Sequence, residues 1–233
     1  MKIEGAISVK AAIESKKREI KELFIDKNNK NKNFNYIRKI AKLNNIKINE
    51  INKEDFVSFN PGKTFGGIIG ECSLRKCDNF DDKDIFYITG IEDPFNLGYM
   101  IRNLYAFGIN NVLLDKKDYE KLDSQILKSS AGAYDFINII YVDDPINIIS
   151  KYKNKNYKIY ALSRGDKSKD IFEESFNNPS MFIVGGEKRG INSNILSLAD
   201  EELFIPYGND FRNSLNASNA LACVATLLFK QRK

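Results

Sequence analysis

The sequence predicts an α/β protein with a small α/β unit over residues 1–72, a linker over 73–83 and a larger parallel-sheet domain over 84–233. Three observations carry this. From Asp84 onward, short apolar runs alternate with stretches of helical periodicity, the pattern of a parallel sheet covered on both faces. The first seventy residues alternate in the same way on a smaller scale. Between the two lies SLRKCDNFDDK, polar, charged and without periodicity, as a linker is.

In the first unit Ser8 can cap a helix over VKAAIESKK, EIKELFID reads as a strand, FNYIRKIAKLNN as a helix and IKINEI as a strand. FGGIIGE follows the turn signal Pro61-Gly62 as a further strand. In the second unit the strands are IFYITG, NVLL, FINIIYV, YKIYALS, MFIV and ELFIP. The intervening helices are DPFNLGYMIRNLYAFG, YEKLDSQILKSS and PINIISKY, and LACVATLLFK closes the chain. In the first of these helices Leu97, Met100, Ile101, Leu104, Tyr105 and Phe107 recur at the spacing of a core-facing stripe. Arg102 interrupts it, and its neighbours four residues away are the small Gly98 and Ala106.

Composition excludes several chemistries. There is no histidine, which removes Ser-His-Asp and Cys-His catalysis, so proton transfer would fall to Asp, Glu, Lys, Tyr or Arg. Cys72, Cys77 and Cys223 match neither a disulfide framework nor a zinc-ligand spacing, so no metal is expected. No apolar run approaches the roughly 20 residues that cross a bilayer, and MKIEGAISVK lacks a signal-peptide core. The expectation is a cytoplasmic protein without a membrane partner. Residues 1–50 hold thirteen Lys/Arg against six Asp/Glu, so the basic end is the candidate nucleic-acid surface, with a solvated lysine-rich exterior as the simpler alternative.

Parallel sheets bind ligands at the carboxyl ends of their strands. After IFYITG, IEDPFNLG starts the helix carrying Arg102; Asp93-Pro94 and Asn96 can start and cap it. After MFIV comes GGEKRGI, whose Gly185 and Gly186 permit close backbone approach and whose Glu187 adds a carboxylate. After ELFIP, Ser214, Asn216, Ser218 and Asn219 crowd the start of the last helix, more polar groups than one cap requires.

Taken together, the pieces N-x-G-x-x-x-R (Asn96, Gly98, Arg102), G-x-E-x-x-G (Gly185, Glu187, Gly190) and I-P followed by S-L-N (Ile205, Pro206, Ser214, Leu215, Asn216) resemble the SpoU, or TrmH-like, branch of the SPOUT RNA methyltransferases. The SSAGA run at 129–133 is similar to one between the first two family motifs, and residues 1–72 resemble the L30e-like substrate-binding domain of ribosomal-RNA ribose methyltransferases. The loop GNDFRN before Ser214 is one residue longer than in many relatives.

The resemblance implies transfer of a methyl group from S-adenosylmethionine to a ribose 2′-hydroxyl of RNA, ribosomal rather than transfer RNA, by a homodimer with a C-terminal trefoil knot. It makes Arg102 the catalytic residue, as a base or as a stabiliser of the developing alkoxide, with Asn96, Glu187, Ser214 and Asn216 around it. It assigns the cofactor to Gly185, Ile205, Leu215 and Ser163. The competing readings are a non-catalytic RNA-binding or ribosome-assembly protein and a base-nitrogen methyltransferase of another SPOUT branch.

Overall fold

The alternation of strands and helices folds into two sheets in a computed structural model that describes all residues except 60–65, 118–120, 177–178 and 187–188. In chain order the first elements are β1 (Lys2–Glu4), α1 (Ala6–Ser15), β2 (Ile20–Asp26), α2 (Lys32–Leu43), β3 (Lys47–Ile51) and β4 (Ile68–Cys72). Next come β5 (Ile85–Ile88), α3 (Pro94–Ala106), β6 (Asn111–Asp115), α4 (Asp123–Ser129), β7 (Asn138–Val142) and α5 (Pro145–Lys153). The chain finishes with β8 (Lys158–Leu162), β9 (Lys169–Asp170), β10 (Ser180–Val184), α6 (Ser193–Leu196), β11 (Glu201–Phe204) and α7 (Ala217–Arg232). Short 3-10 turns lie at Lys53–Ser58 and Ala133–Asp135. Among the described residues no helix is long and apolar enough to cross a membrane.

The chain divides into two compact units, Met1–Lys76 with Tyr119–Phe136, and Cys77–Asp118 with Ile137–Lys233. The first is built on a mixed sheet ordered β1-β4-β2-β3, in which only β2 and β3 run parallel. Residues 121–136, which in sequence fall among the strands of the second unit, pack here. At Gly132 (φ +87°) a β-carbon would stand 2.6 Å from that of Ala11, so the SSAGA run lies against α1.

A buried ion triad secures that packing. The Arg18 Nε donates to both carboxylate oxygens of Asp135, at 3.0 and 2.8 Å, while its two terminal nitrogens reach the two oxygens of Asp123 at 3.0 and 2.5 Å. None of the Arg18 side chain is exposed. Burial works against its charge, but the hydrogen bonds and charges of Asp135 and Asp123 outweigh it and raise its pKa, so the guanidinium stays protonated.

The second unit holds seven parallel strands ordered β7-β6-β5-β10-β8-β11-β9. Its centre is apolar on both faces: β5 and β10 are buried at every position. Across one face Phe86, Phe182 and Tyr160 stand in register on adjacent strands and stack, with ring centroids 5.0 and 5.3 Å apart. α3 packs against α7, burying Leu97, Met100, Ile101 and Leu104.

Local expectations are revised in three places. Ser8 does not cap α1; the helix already starts at Ala6, with Gly5 (φ 87°) before it, because only glycine takes that turn cheaply. Asn96 does not cap α3 either. Asp93 does, accepting from the N–H groups of Phe95 and Asn96, with Pro94 in the first turn where its missing N–H costs nothing. Tyr105 leaves the core stripe and is 42% exposed.

Removing one member of the buried triad strands the opposite charges, a loss of about 3–5 kcal/mol. Arg18→Ala is therefore expected to lower the urea midpoint of the first unit's unfolding strongly. Exposed Lys47→Ala, which loses only a surface pair with Glu22, is expected to change it little.

Candidate active site

The loops after β8, β10 and β11 and the start of α7 enclose a cavity of about 380 Å³ at the carboxyl ends of the second sheet, with the loop after β5 packed behind Gly186. Gly185, Ile205, Leu215 and Ser163 all line it. So does Ser214, which is exposed at the rim. Leu162, Ile191 and Leu196 supply apolar wall, and Arg164 and Arg189 supply charge.

Glycine lets these loops close. At Gly185 a β-carbon would lie 2.4 Å from the carbonyl carbon of Gly190, and at Gly186 one would lie 2.2 Å from the carbonyl oxygen of Gly90. The Gly190 N–H donates to the Gly186 carbonyl at 2.9 Å, folding the loop after β10 back on itself.

The Gly90 turn is in turn tied to β6. Asp115, at the end of that strand, accepts from the Tyr87 hydroxyl at 2.6 Å, the Thr89 hydroxyl at 3.0 Å and the Gly90 N–H at 2.7 Å. Two residues on, the Lys117 ammonium donates to the Ile91 carbonyl at 2.9 Å. These fix the loop that leads into α3. Neither clamp was singled out from the sequence: an Asp ending a strand carries no local signal that distinguishes it from a turn residue.

From α3, Asn96 meets the start of α7. The Asn216 Nδ2 donates to Asn96 Oδ1 at 3.3 Å, while Asn216 Oδ1 caps α7 by accepting from the Ser218 N–H at 2.9 Å. One asparagine thus serves as helix cap and as bridge to the first motif. Arg102 lies one to two turns further along α3, exposed, with Tyr99 and Tyr105 three residues away on either side, 47% and 42% exposed. No hydrogen bond or ion pair joins Arg102 to another described residue. Glu187 lies outside the described residues.

The loop before Ser214 is held from within. The Tyr207 hydroxyl accepts from the Leu215 N–H at 3.0 Å, and the Arg164 guanidinium lies over the Tyr207 ring at 4.4 Å from its centroid. Among the described residues no cluster of three or more Cys, Asp or Glu side chains could hold a metal ion. What the arrangement offers is a half-polar, half-apolar cavity with an asparagine pair at its edge and a cation on the adjoining helix.

Comparison with known proteins identifies relatives of the chain. Residues 84–226 match the family described as SpoU rRNA Methylase family, and residues 2–75 match the one described as RNA 2′-O ribose methyltransferase substrate binding. The chain is 26% identical to rRNA methyltransferase 1, mitochondrial, of Schizosaccharomyces pombe, over 93% of this chain and 85% of that protein. It is 28% identical, over 99% and 95%, to a Staphylococcus saprophyticus protein whose name assigns it to the TrmH family of tRNA/rRNA methyltransferases. The crystal structure of the SpoU methyltransferase AviRb from Streptomyces viridochromogenes, in complex with the cofactor AdoMet, superposes with a TM-score of 0.80 at 18% identity, covering 100% of this chain and 90% of that one.

The glycine contacts give a thermal prediction. Gly186→Ala is expected to lower Tm by roughly 4–8 °C, the equivalent of about 2 kcal/mol of overpacking in a chain of this size. Gly208→Ala, where an added β-carbon meets nothing within 4 Å, is expected to leave Tm in place.

Proposed function

The chain belongs to the SpoU rRNA Methylase family, and from that premise we propose that it transfers the methyl group of S-adenosylmethionine to a ribose 2′-hydroxyl of RNA, in ribosomal rather than transfer RNA. The observation that carries the reading is the single cavity lined by Gly185, Ile205, Leu215 and Ser163 together. Its volume is that of a small-ligand site, roughly 300–1,000 Å³. Leu162, Ile191 and Leu196 offer a surface suited to a purine, and the backbone of Gly185 and Ile205 offers hydrogen bonds beside it. These residues would hold the cofactor, which when bound supplies an electrophilic methyl group on a sulfonium sulfur.

The rest falls to the chain's own side chains. A ribose hydroxyl becomes a good nucleophile only as its proton leaves, and holding it in line with the methyl group is worth much of the rate. A guanidinium is effectively always charged. Arg102 is therefore assigned to stabilise the developing alkoxide while the proton passes to solvent. Asn96 and Asn216, joined by their hydrogen bond, orient the target nucleotide, with Ser214 at the cavity rim and Glu187 completing the set.

The proposal takes residues 1–72 as the RNA-binding domain, 73–83 as linker and 84–233 as the methyltransferase domain, supported by the family matches at 2–75 and 84–226. Ribosomal RNA is supported by the description of the family matched at 84–226 and by the name of the Schizosaccharomyces pombe relative. A C-terminal trefoil knot and a homodimer belong to the same reading. The dimer is supported by the exposed side of α3, where the aromatics Phe95, Tyr99 and Tyr105 are 50%, 47% and 42% exposed, residues of the kind enriched at interaction surfaces.

Two measurements test these points. Arg102→Ala is expected to cut methyl transfer from labelled S-adenosylmethionine to ribosomal RNA by roughly 10²–10³-fold, with the calorimetric Kd for the cofactor unchanged; transfer at the wild-type rate would remove Arg102 from the mechanism. Tyr99→Glu is expected to convert a dimer to a monomer in sedimentation velocity, and a monomeric wild-type protein would overturn the dimer.

A further inference from the structure

Arginine is scarce in this chain, eight residues among thirty-six basic ones. Where lysine supplies charge in general, an arginine marks a place that uses the forked geometry of a guanidinium. Four of the eight use it inside the fold. Arg18 spans Asp123 and Asp135. Arg38 donates to Glu50, to the Asn29 carbonyl and to the Asp26 carbonyl. Arg75 donates to the carbonyls of Tyr134 and Lys76. Arg232 grips both oxygens of Asp84 and the Phe176 carbonyl.

The other four, Arg102, Arg164, Arg189 and Arg212, are exposed and all belong to the second unit. Arg102 already has a role in the proposed reaction. Arg164 and Arg189 line the cavity, and Arg212 lies in the loop between Tyr207 and Ser214, both of which line it. Arg164 has the most contacts of the three: its guanidinium lies over the Tyr207 ring and spends one N–H on the Phe211 carbonyl, at a long 3.4 Å. No ion pair joins any of the three to a described carboxylate. Among its described lining residues the cavity has two arginines and no acid.

The proposed cofactor carries a single carboxylate, so it can occupy at most one of these guanidinium groups. Their charge suits a polyanion passing across the cavity mouth. We propose that Arg164, Arg189 and Arg212 form a clamp for the phosphates of the RNA strand flanking the target ribose, a second RNA contact besides the substrate-binding domain. Planar guanidinium groups match phosphate oxygens two at a time, which positions the strand as well as attracting it. The clamp rests on the reading of the cavity as the methyl-donor site.

The test uses the full-length protein and a fluorescein-labelled single-stranded RNA of mixed sequence. Its Kd is followed by anisotropy over a range of KCl, with S-adenosylmethionine binding measured in parallel by calorimetry. Replacing all three arginines by glutamine is expected to weaken RNA binding at least about tenfold and to flatten the slope of log Kd against log salt by about 2, at roughly 0.7 per lost single-strand phosphate contact. The three-lysine variant is expected to regain the slope but not the full affinity. Exposed Lys151→Gln is expected to change neither.

Arginine variants that bind RNA with the wild-type Kd and slope would overturn the clamp, as would a wild-type protein that does not bind this RNA. Loss of S-adenosylmethionine binding with RNA binding intact would also overturn it, by assigning the arginines to the cofactor. A wild-type protein that binds RNA with the expected arginine dependence but does not bind S-adenosylmethionine would sink the methyltransferase reading and leave the RNA contact standing.

Discussion

Backbone meets backbone where the Gly90 turn reaches the loop after β10, with room for no β-carbon at Gly186. The placing of α3 beside the site depends on that approach. It brings the chain leading to α3 against the cavity wall, and α3 carries Asn96 to Asn216 and presents Arg102 on its outer face. Glycine makes the contact sterically possible but supplies no energy to hold it. The holding comes from Asp115, whose carboxylate gathers two hydroxyls and the Gly90 N–H, charge-assisted bonds of the stronger kind. A carboxylate that the chemistry does not use thus fixes the loops that it does.

The same division between holding and acting runs through the arginines. Those that build the fold are saturated with acceptors, as Arg18 is by two aspartates and Arg232 by Asp84 and Phe176. Those near the cavity have donors to spare. A site that must bind a polyanion and release it needs cations that are ordered yet not neutralised by the protein. Placing Arg164 over Tyr207 achieves this, because the ring holds the guanidinium while all but one of its N–H groups stay available.

Much of this was legible in the sequence, for identifiable reasons. Buried strands such as IFYI and SMFIV are continuous apolar runs because both faces are covered, and that signal is local. The three motifs could be placed at strand ends because ligands gather there in parallel sheets. Strands of two or three residues, β1 and β9, carry too few positions for periodicity to register. The packing of residues 121–136 with the N-terminal unit depends on Arg18 meeting Asp123 and Asp135, each over a hundred residues from it, which no local pattern links. Asp93 and Asn96 are equally good capping residues by type, and only the hydrogen bonds to Asp93 decide which of them caps α3. The strand order, with β10 between β5 and β8, follows from long-range pairing that the sequence does not display.

The central claim is that the cavity serves methylation at a ribose oxygen. RNA incubated with the protein and methyl-labelled S-adenosylmethionine, then digested completely in alkali, reads the position of the label directly. A 2′-O-methyl group blocks cleavage of the adjacent phosphodiester, so the account predicts label in alkali-resistant dinucleotides. Label in mononucleotides would place the methyl group on a base and contradict it.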